Sequence, residues 1–288
     1  MATMTTPSHK LLAIDTGTDV MSVAVSRTED GHTQVWQHTG PGAAKASTSL
    51  IATVLDLMQQ SGMALRDLDA ICFGSGPGAF TGLRTACSVA QGLGLGAGVP
   101  LLGVNALMAI AEEARIRAGG QATGHAAQGA PGYAPGQVLV SLLDARMDEV
   151  YAAAYRWQGA HWQALSDSML LRPEQLAFGG LHLADSVDAP LQAPYVLAGN
   201  AFGPYAQRLP LPWQTLQRAE ALPTARAMLQ LAPYLLAQGQ AVPAEQALPA
   251  YIRDKVAQTT AERASQRAAQ QAAPVPPMAE PAQAGSTP

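Results

Sequence analysis

Apolar and polar positions along this chain switch between a period of two and a helical period, and the switches predict its elements. Lys10–Asp15 (KLLAID) holds four consecutive apolar residues and reads as a buried strand. Val20–Ser26 alternates Val and Ser around Met21 and Ala24, a second strand, and Gln34–His38 follows as a third after a turn at Asp30-Gly31. Leu50, Ile51, Val54, Leu55 and Met58 then recur at helical spacing. A helix is expected from an N-cap at Ser47 to about Gln60, with Gly62 stopping it. Leu68–Gly74 returns to strand and Gly76-Pro77-Gly78 makes a rigid turn. A second helix runs from Thr81 to Leu95, then a short strand at Leu101–Val104 and a third helix at Ala106–Arg117. Three strands followed by alternating helix and strand is a layered α/β plan.

The second half restarts this order. Val138–Leu143, Asp144, a turn, Asp148 and Val150–Arg156 repeat Leu11–Ile14, Asp15, a turn, Asp19 and Val20–Ser26. His161–Ser168 is the expected third strand of the repeat, and Tyr195–Asn200 (YVLAGN) echoes Ala70–Ser75 (AICFGS). A strand ending in Asp before a turn is common by itself, but the order of several elements points to two related lobes. Arg226–Gln238 has helical spacing with Pro233 inside, so that helix is expected to kink or to begin later. Gly119–Gly136 is rich in Ala, Gly and Pro and reads as a flexible linker. Gln258–Pro288 ends AAPVPPMAEPAQAGSTP, too rich in Pro and Ala to hold a core. The resulting division is a first lobe over 1–118, a linker over 119–136 and a second lobe over 137–223. A helical segment over 224–257 and a disordered tail over 258–288 follow.

Composition narrows the function classes. Of 288 residues only 13% are charged, about half the usual share, and the net charge is −4. A chain that grips a phosphate backbone by itself needs clustered Lys and Arg, which is not the balance here. Cys72 and Cys87 are too few for a disulfide framework or a four-ligand zinc site, and they read as buried thiols of a reducing compartment. Lys10 precedes only four apolar residues, too short a run for a signal-peptide core. The uncharged stretch Thr85–Ala111 contains Gly92, Gly94, Gly96, Gly98 and Pro100. It therefore reads as helix, turn, strand and helix rather than a membrane span. A cytoplasmic protein is expected.

Two segments could carry chemistry. In Asp15-Thr16-Gly17-Thr18, Gly17 lets the backbone approach a phosphate, the threonines can donate hydroxyls, and Asp15 can hold Mg²⁺ through water. An ordinary tight hairpin is the competing reading. Gly74–Arg84 (GSGPGAFTGLR) joins a strand to a helix, so amides around Gly76 and Gly78 point into a helix N-terminus, a natural anion site. No Lys-Ser/Thr follows its last glycine, so it is not a Walker loop, and the dinucleotide spacing is missing too. Gly82, Ala86 and Ala90 form a smooth ridge that lets another helix approach, from this chain or a partner. The six histidines never pair at i, i+3 or i, i+4, no nucleophile elbow is present, and Cys87 has no nearby His.

Several segments together resemble the TsaB (YeaZ) family: LLAIDTGTDVMSVAVS, GSGPGAFTGLRTACSVAQGLGLGAGVPLLGVNALMAIA, VLVSLLDARMDEVYAAAY, AGNAF and AYIRDKVAQTTAER. The resemblance spans roughly Lys10 to Arg263, excluding the linker. It implies two RNase H-like lobes of the actin/Hsp70/sugar-kinase (ASKHA) type, the second reduced. It also implies a role in making N6-threonylcarbamoyladenosine next to the anticodon of tRNAs. There the TsaB-like subunit, not itself an enzyme, pairs with a catalytic TsaD-like subunit, and a small TsaE-like ATPase joins them. The tRNA would be met through the complex, and the chain alone could be a homodimer. Catalytic relatives carry a His-x-x-x-His metal pair on the helix matching Ser47–Gln60, where this chain has no histidine. By the same resemblance Asp15, Thr16, Gly17, Thr18, Gly76 and Gly78 are a vestigial nucleotide site, for ATP or ADP with Mg²⁺ at or near the subunit interface. The implied partner surface comprises Leu50, Ile51, Val54, Leu55 and Met58 on the first helix, with Thr81, Arg84, Thr85, Ser88 and Val89 on the second. The family's usual Leu-Leu-Pro on the first helix is Leu50-Ile51-Ala52 here. Two other classes compete: an ATP-dependent small-molecule kinase or transferase using Asp15 and the glycine-rich turn, and a metallopeptidase.

Overall fold

In the computed structural model, residues 8–121, 133–177, 181 and 195–253 are described. The first sheet has the order β3-β2-β1-β4-β5: β1 (His9–Asp15), β2 (Val20–Glu29), β3 (His32–Pro41), β4 (Ala70–Gly76) and β5 (Leu101–Asn105). β1 runs antiparallel to β2 and parallel to β4, with Asp15 opposite Ser22 and Ile14 opposite Phe73. The second sheet, β11-β10-β6-β7-β8, has the same order. It comprises β6 (Val138–Arg146), β7 (Glu149–Trp157), β8 (Trp162–Ala164), β10 (Tyr195–Gly199) and β11 (Gln217–Glu220), with β9 (Met169–Leu171) also paired to β7. β6 is again antiparallel to its hairpin partner and parallel to β10, so the repeated sequence pattern is a repeated RNase H-like lobe.

Strand alternation divides the core. Leu12 and Ile14 point to one face of the first sheet, where α1 (Leu50–Ser61) and α2 (Phe80–Ala97) lie, while Leu11 and Ala13 point to the other. That second face is covered by α6 (Ala225–Ala237), a helix that follows the second sheet in the chain. Reciprocally, α3 (Ala106–Gln121) follows β5 but packs mainly on β6, β7 and β10. The two helices also pack on each other, and one buried cluster runs from Leu11 and Leu102 through both to Leu139 and Val196. Hydrogen bonds fix the exchange. Asn105 Oδ1 caps α3 by accepting from Leu107 N (2.8 Å), and Ser141 Oγ of β6 donates to Leu107 O (2.7 Å). Ala225 N at the start of α6 donates to Ser22 Oγ of β2 (2.9 Å). The outer face of the second sheet is closed by the short helices α4 (Phe202–Tyr205) and α5 (Leu211–Gln214), which bury Phe202, Tyr205 and Trp213.

Several boundaries differ from expectation. α6 begins at Ala225, earlier than Pro233 suggested, because Thr224 caps it: Ala227 N donates to Thr224 Oγ1 (3.1 Å). The third strand of the repeat is broken into β8 and β9, since between them Ser166 Oγ accepts from Ala154 N in place of a ladder carbonyl. Of the expected linker, Gly119–Gln121 belong to α3 and Tyr133 is buried, while residues 122–132 and the tail 258–288 lie outside the described residues. The chain forms one unit through Ile252 and a second from Arg253, of which only Arg253 is described. Among the described residues no helix is long and apolar enough to cross a membrane, and the Thr85–Ala111 stretch is α2, β5 and the start of α3. Both cysteines are free and buried.

Candidate functional site

Asp15 ends β1 with no exposed surface. Its Oδ1 accepts from Gly17 N (3.1 Å), an Asx turn that starts the hairpin. Asp144, two residues before the end of β6, makes the same turn, its Oδ1 accepting from Arg146 N (2.8 Å), so the repeat extends to the hydrogen bond. The environments then diverge. Asp144 also accepts from Tyr205 Oη (3.0 Å) and pairs with Arg146 (3.3 Å), whereas Asp15 Oδ2 is buried without a hydrogen-bond partner. It lies so close to Gly74 that a Cβ there would stand 2.0 Å away. Burial pushes the Asp15 carboxyl up to about 7, and the single Gly17 amide only partly offsets that.

The structure brings Asp15, Thr16, Gly17, Thr18, Gly76 and Gly78 together, and several of their polar groups are bonded to neighbouring backbone, while Asp15 Oδ2 is left without a partner. Thr16 Oγ1 donates to Gly82 O (2.6 Å), Ala79 N donates to Gly17 O (2.7 Å), and Thr18 Oγ1 is bonded within its own turn to Val20. A Cβ on Gly82 would stand 1.9 Å from Thr16 O, and one on Gly78 2.7 Å from Gly17 O. At Gly78 and Gly82 it is the chain's own backbone that approaches, so glycine is needed there for packing between turn and loop. Residues outside the expected set close the hairpin mouth. Arg146 of the second lobe forms an ion pair with Asp19 of the first, and Arg208 pairs with Asp148 (2.8 Å) and Glu174.

The expected partner surface separates into two rows. Leu50, Val54 and Met58 are buried against Leu12, Ile14 and Val23, so they belong to the core and not to an interface. The correction follows from helix geometry: the row Leu50, Val54, Leu57, Met58, Ser61 faces the sheet, and a second row through Ile51 and Leu55 faces outward. Ile51 and Leu55 on that outer row are each 52% exposed. On α2, Thr81, Arg84 and Ser88 are exposed, and Thr85 and Val89 are half-buried. The ridge Gly82, Ala86, Ala90 faces this chain's own core, while Gly92 and Gly96 on the outer side meet open space. Arg84 lies over the Phe80 ring (3.8 Å) and its Nε donates to Tyr251 Oη (2.9 Å). Tyr251 ends a strap that returns after α6. Val242 exchanges two 2.8 Å hydrogen bonds with Leu101 of β5, Ala247 O accepts from Gln91 Nε2 (2.9 Å), and Ala250 N donates to Ser75 O (2.7 Å). Residue pattern and spacing predict neither the Arg146 contact nor the path of this strap, because both join residues far apart in the chain.

Duplicated RNase H-like lobes with exchanged helices define a protein of the ASKHA class. A family model described as TsaD, tRNA N6-adenosine threonylcarbamoyltransferase, matches residues 41–261. The tRNA threonylcarbamoyladenosine biosynthesis protein TsaB of Escherichia coli is 31% identical over 254 residues, covering 86% of this chain and 96% of that protein. The TsaB protein of Haemophilus influenzae is 28% identical over 256 residues, 85% of this chain and 94% of the relative. A solved structure of YeaZ from Pseudomonas aeruginosa superposes with a TM-score of 0.67 at 34% identity, covering 84% of this chain and 99% of that one. The chain belongs to the TsaB (YeaZ) family, within the wider group that the TsaD model describes.

Proposed function

We propose that this chain is a non-catalytic subunit in the N6-threonylcarbamoylation of tRNA adenosine, and that the outer faces of α1 and α2 hold a TsaD-like catalytic subunit. The observation that carries this is the outward apolar pair Ile51 and Leu55 on a helix whose opposite row already fills the core. A helix with two apolar faces has one more than its own fold needs. Gly92 and Gly96 on α2 leave room for a partner helix to approach closely. The non-catalytic reading is supported by α1, which has no histidine where catalytic relatives carry a metal-binding pair. The net charge of −4 supports tRNA being held mainly by the partner, with a TsaE-like ATPase joining the pair. The same surface supports a homodimer when the partner is absent.

The test is association of a TsaD-like subunit with the Ile51→Asp and Leu55→Asp variants. Each charge should weaken the complex by about 2 kcal/mol or more, roughly 30-fold, with the chain still folded. Undiminished binding by both variants overturns the assignment.

A further inference from the structure

A second concave site lies away from the two Asp hairpins, between α3, the turn joining β7 to β8, and α6. It is a pocket of about 90 Å³ whose walls include four aromatic side chains: Trp157, His161, Trp162 and Tyr234. Trp157 and Trp162 meet at 5.0 Å between centroids, tilted by 52°, and His161 stacks on Tyr234 at 4.2 Å and 6°. The polar floor is built and neutral. Glu112, 2% exposed, accepts two hydrogen bonds from Arg115 (2.8 and 2.7 Å) and one from Trp162 Nε1 (2.9 Å), and the Arg115 guanidinium lies over the Trp157 ring at 4.7 Å. Charge is cancelled inside the site, so an ionic group entering it would find no counter-charge. Gln230, on the exposed side of α6, adds to the lining an amide that can both donate and accept, along with Tyr234 and His161.

We infer that this pocket binds one planar, uncharged ring bearing an amide edge, of the pyrimidine-base kind. Trp157 and Trp162, 8% and 3% exposed, form the buried back of the pocket, while the more exposed His161–Tyr234 stack at the rim can extend to a further flat ring, and a side-chain amide reads an amide edge by paired donor and acceptor. The volume admits a single six-membered ring and leaves an attached sugar or chain in solvent. Such a ring can be presented by a free nucleoside or by an unpaired position of an RNA strand. Neither source needs the α1–α2 surface.

The experiment titrates uridine into the full chain and follows tryptophan emission, since Trp157 and Trp162 line the pocket. It is repeated with His161→Ala, Gln230→Ala and, as a control at the other surface, Ile51→Asp. Saturable binding is expected, weakened about ten-fold or more in the first two variants and unchanged in the third. An oligouridylate that binds the same site more tightly than uridine identifies RNA as the source, and equal affinities identify the free nucleoside. Absence of saturable binding by either probe up to millimolar concentration overturns the inference, as does binding indifferent to both lining substitutions. Because Ile51→Asp reads the partner surface separately, failure here is distinguishable from failure of the proposed function.

Discussion

Arg146 in the second lobe reaches across to pair with Asp19 in the first, joining the tips of two hairpins that the repeat makes equivalent. Both side chains are largely exposed, at 67% and 76%, so the pair is worth little in a screened solvent, about 1 kcal/mol at most. Arg146 also sits at φ 61°, followed by Met147 at 55° and Asp148 at 61°, a left-handed run that disfavours residues with a Cβ. Arg146→Ala should therefore lower stability slightly, in a manner erased by high salt. Arg146→Gly should recover about 1 kcal/mol by relieving the backbone. Thermal unfolding at low and high ionic strength separates the two, and a larger loss in the glycine variant than in the alanine variant refutes the account.

Asp15 predicts an unusual pH dependence. Its carboxyl titrates near 7 when folded and near the ordinary 3.8 when unfolded, so between those values the folded state holds the extra proton. Its contribution is fully present below about pH 4 and is lost as pH rises to about 7. Asp15→Asn, which cannot ionise, removes that slope. Melting temperature against pH should fall for the wild type relative to the variant across this window, and parallel curves would show that Asp15 has an ordinary carboxyl.

Two glycines on α2 should respond oppositely to alanine. At Gly82 the added Cβ would meet Thr16 O at 1.9 Å, forcing the loop off the hairpin at a cost of about 3 kcal/mol or more. At Gly92 nothing lies within 4 Å, so alanine removes backbone entropy from the unfolded chain and stabilises by about 0.5–1 kcal/mol. Denaturant midpoints measure both, and equal signs would mean that α2 is not docked as described.

The two rows of α1 offer a third contrast. Val54→Asp places a charge where no surface is exposed and should unfold the chain or cost more than about 3 kcal/mol. Ile51→Asp, on the exposed row, should change stability by no more than about 0.5 kcal/mol. Circular dichroism melts decide this without any partner present.

The duplication was legible because its signature is local: a strand, an Asp and a turn, twice, each closed by the same bond from the amide two residues on. The inner and outer rows of α1 were not legible. Leu50, Ile51, Val54, Leu55 and Met58 form a stripe wider than one contact face, and only the sheet decides which part it covers. Asp15, Thr16 and the glycines lie side by side as expected, but the packing role of Gly78 and Gly82 was not legible. Whether glycine admits a ligand or a neighbouring carbonyl depends on distances such as Gly82 to Thr16, which spacing does not encode. Thr224 caps α6 at its first turn, well before Pro233 in the helix's second half, so the helix begins ahead of the proline.

The exchange of α3 and α6 bears on how the chain can be divided. A fragment ending at Gln121 would expose the face of the first sheet that α6 covers, and α3 would have lost the strands it packs on. A fragment beginning at Tyr133 would lack α3 in the same way. Neither half is a self-sufficient folding unit, but each carries the piece the other needs. Two such halves, produced together, should recombine into one particle, and either produced alone should aggregate.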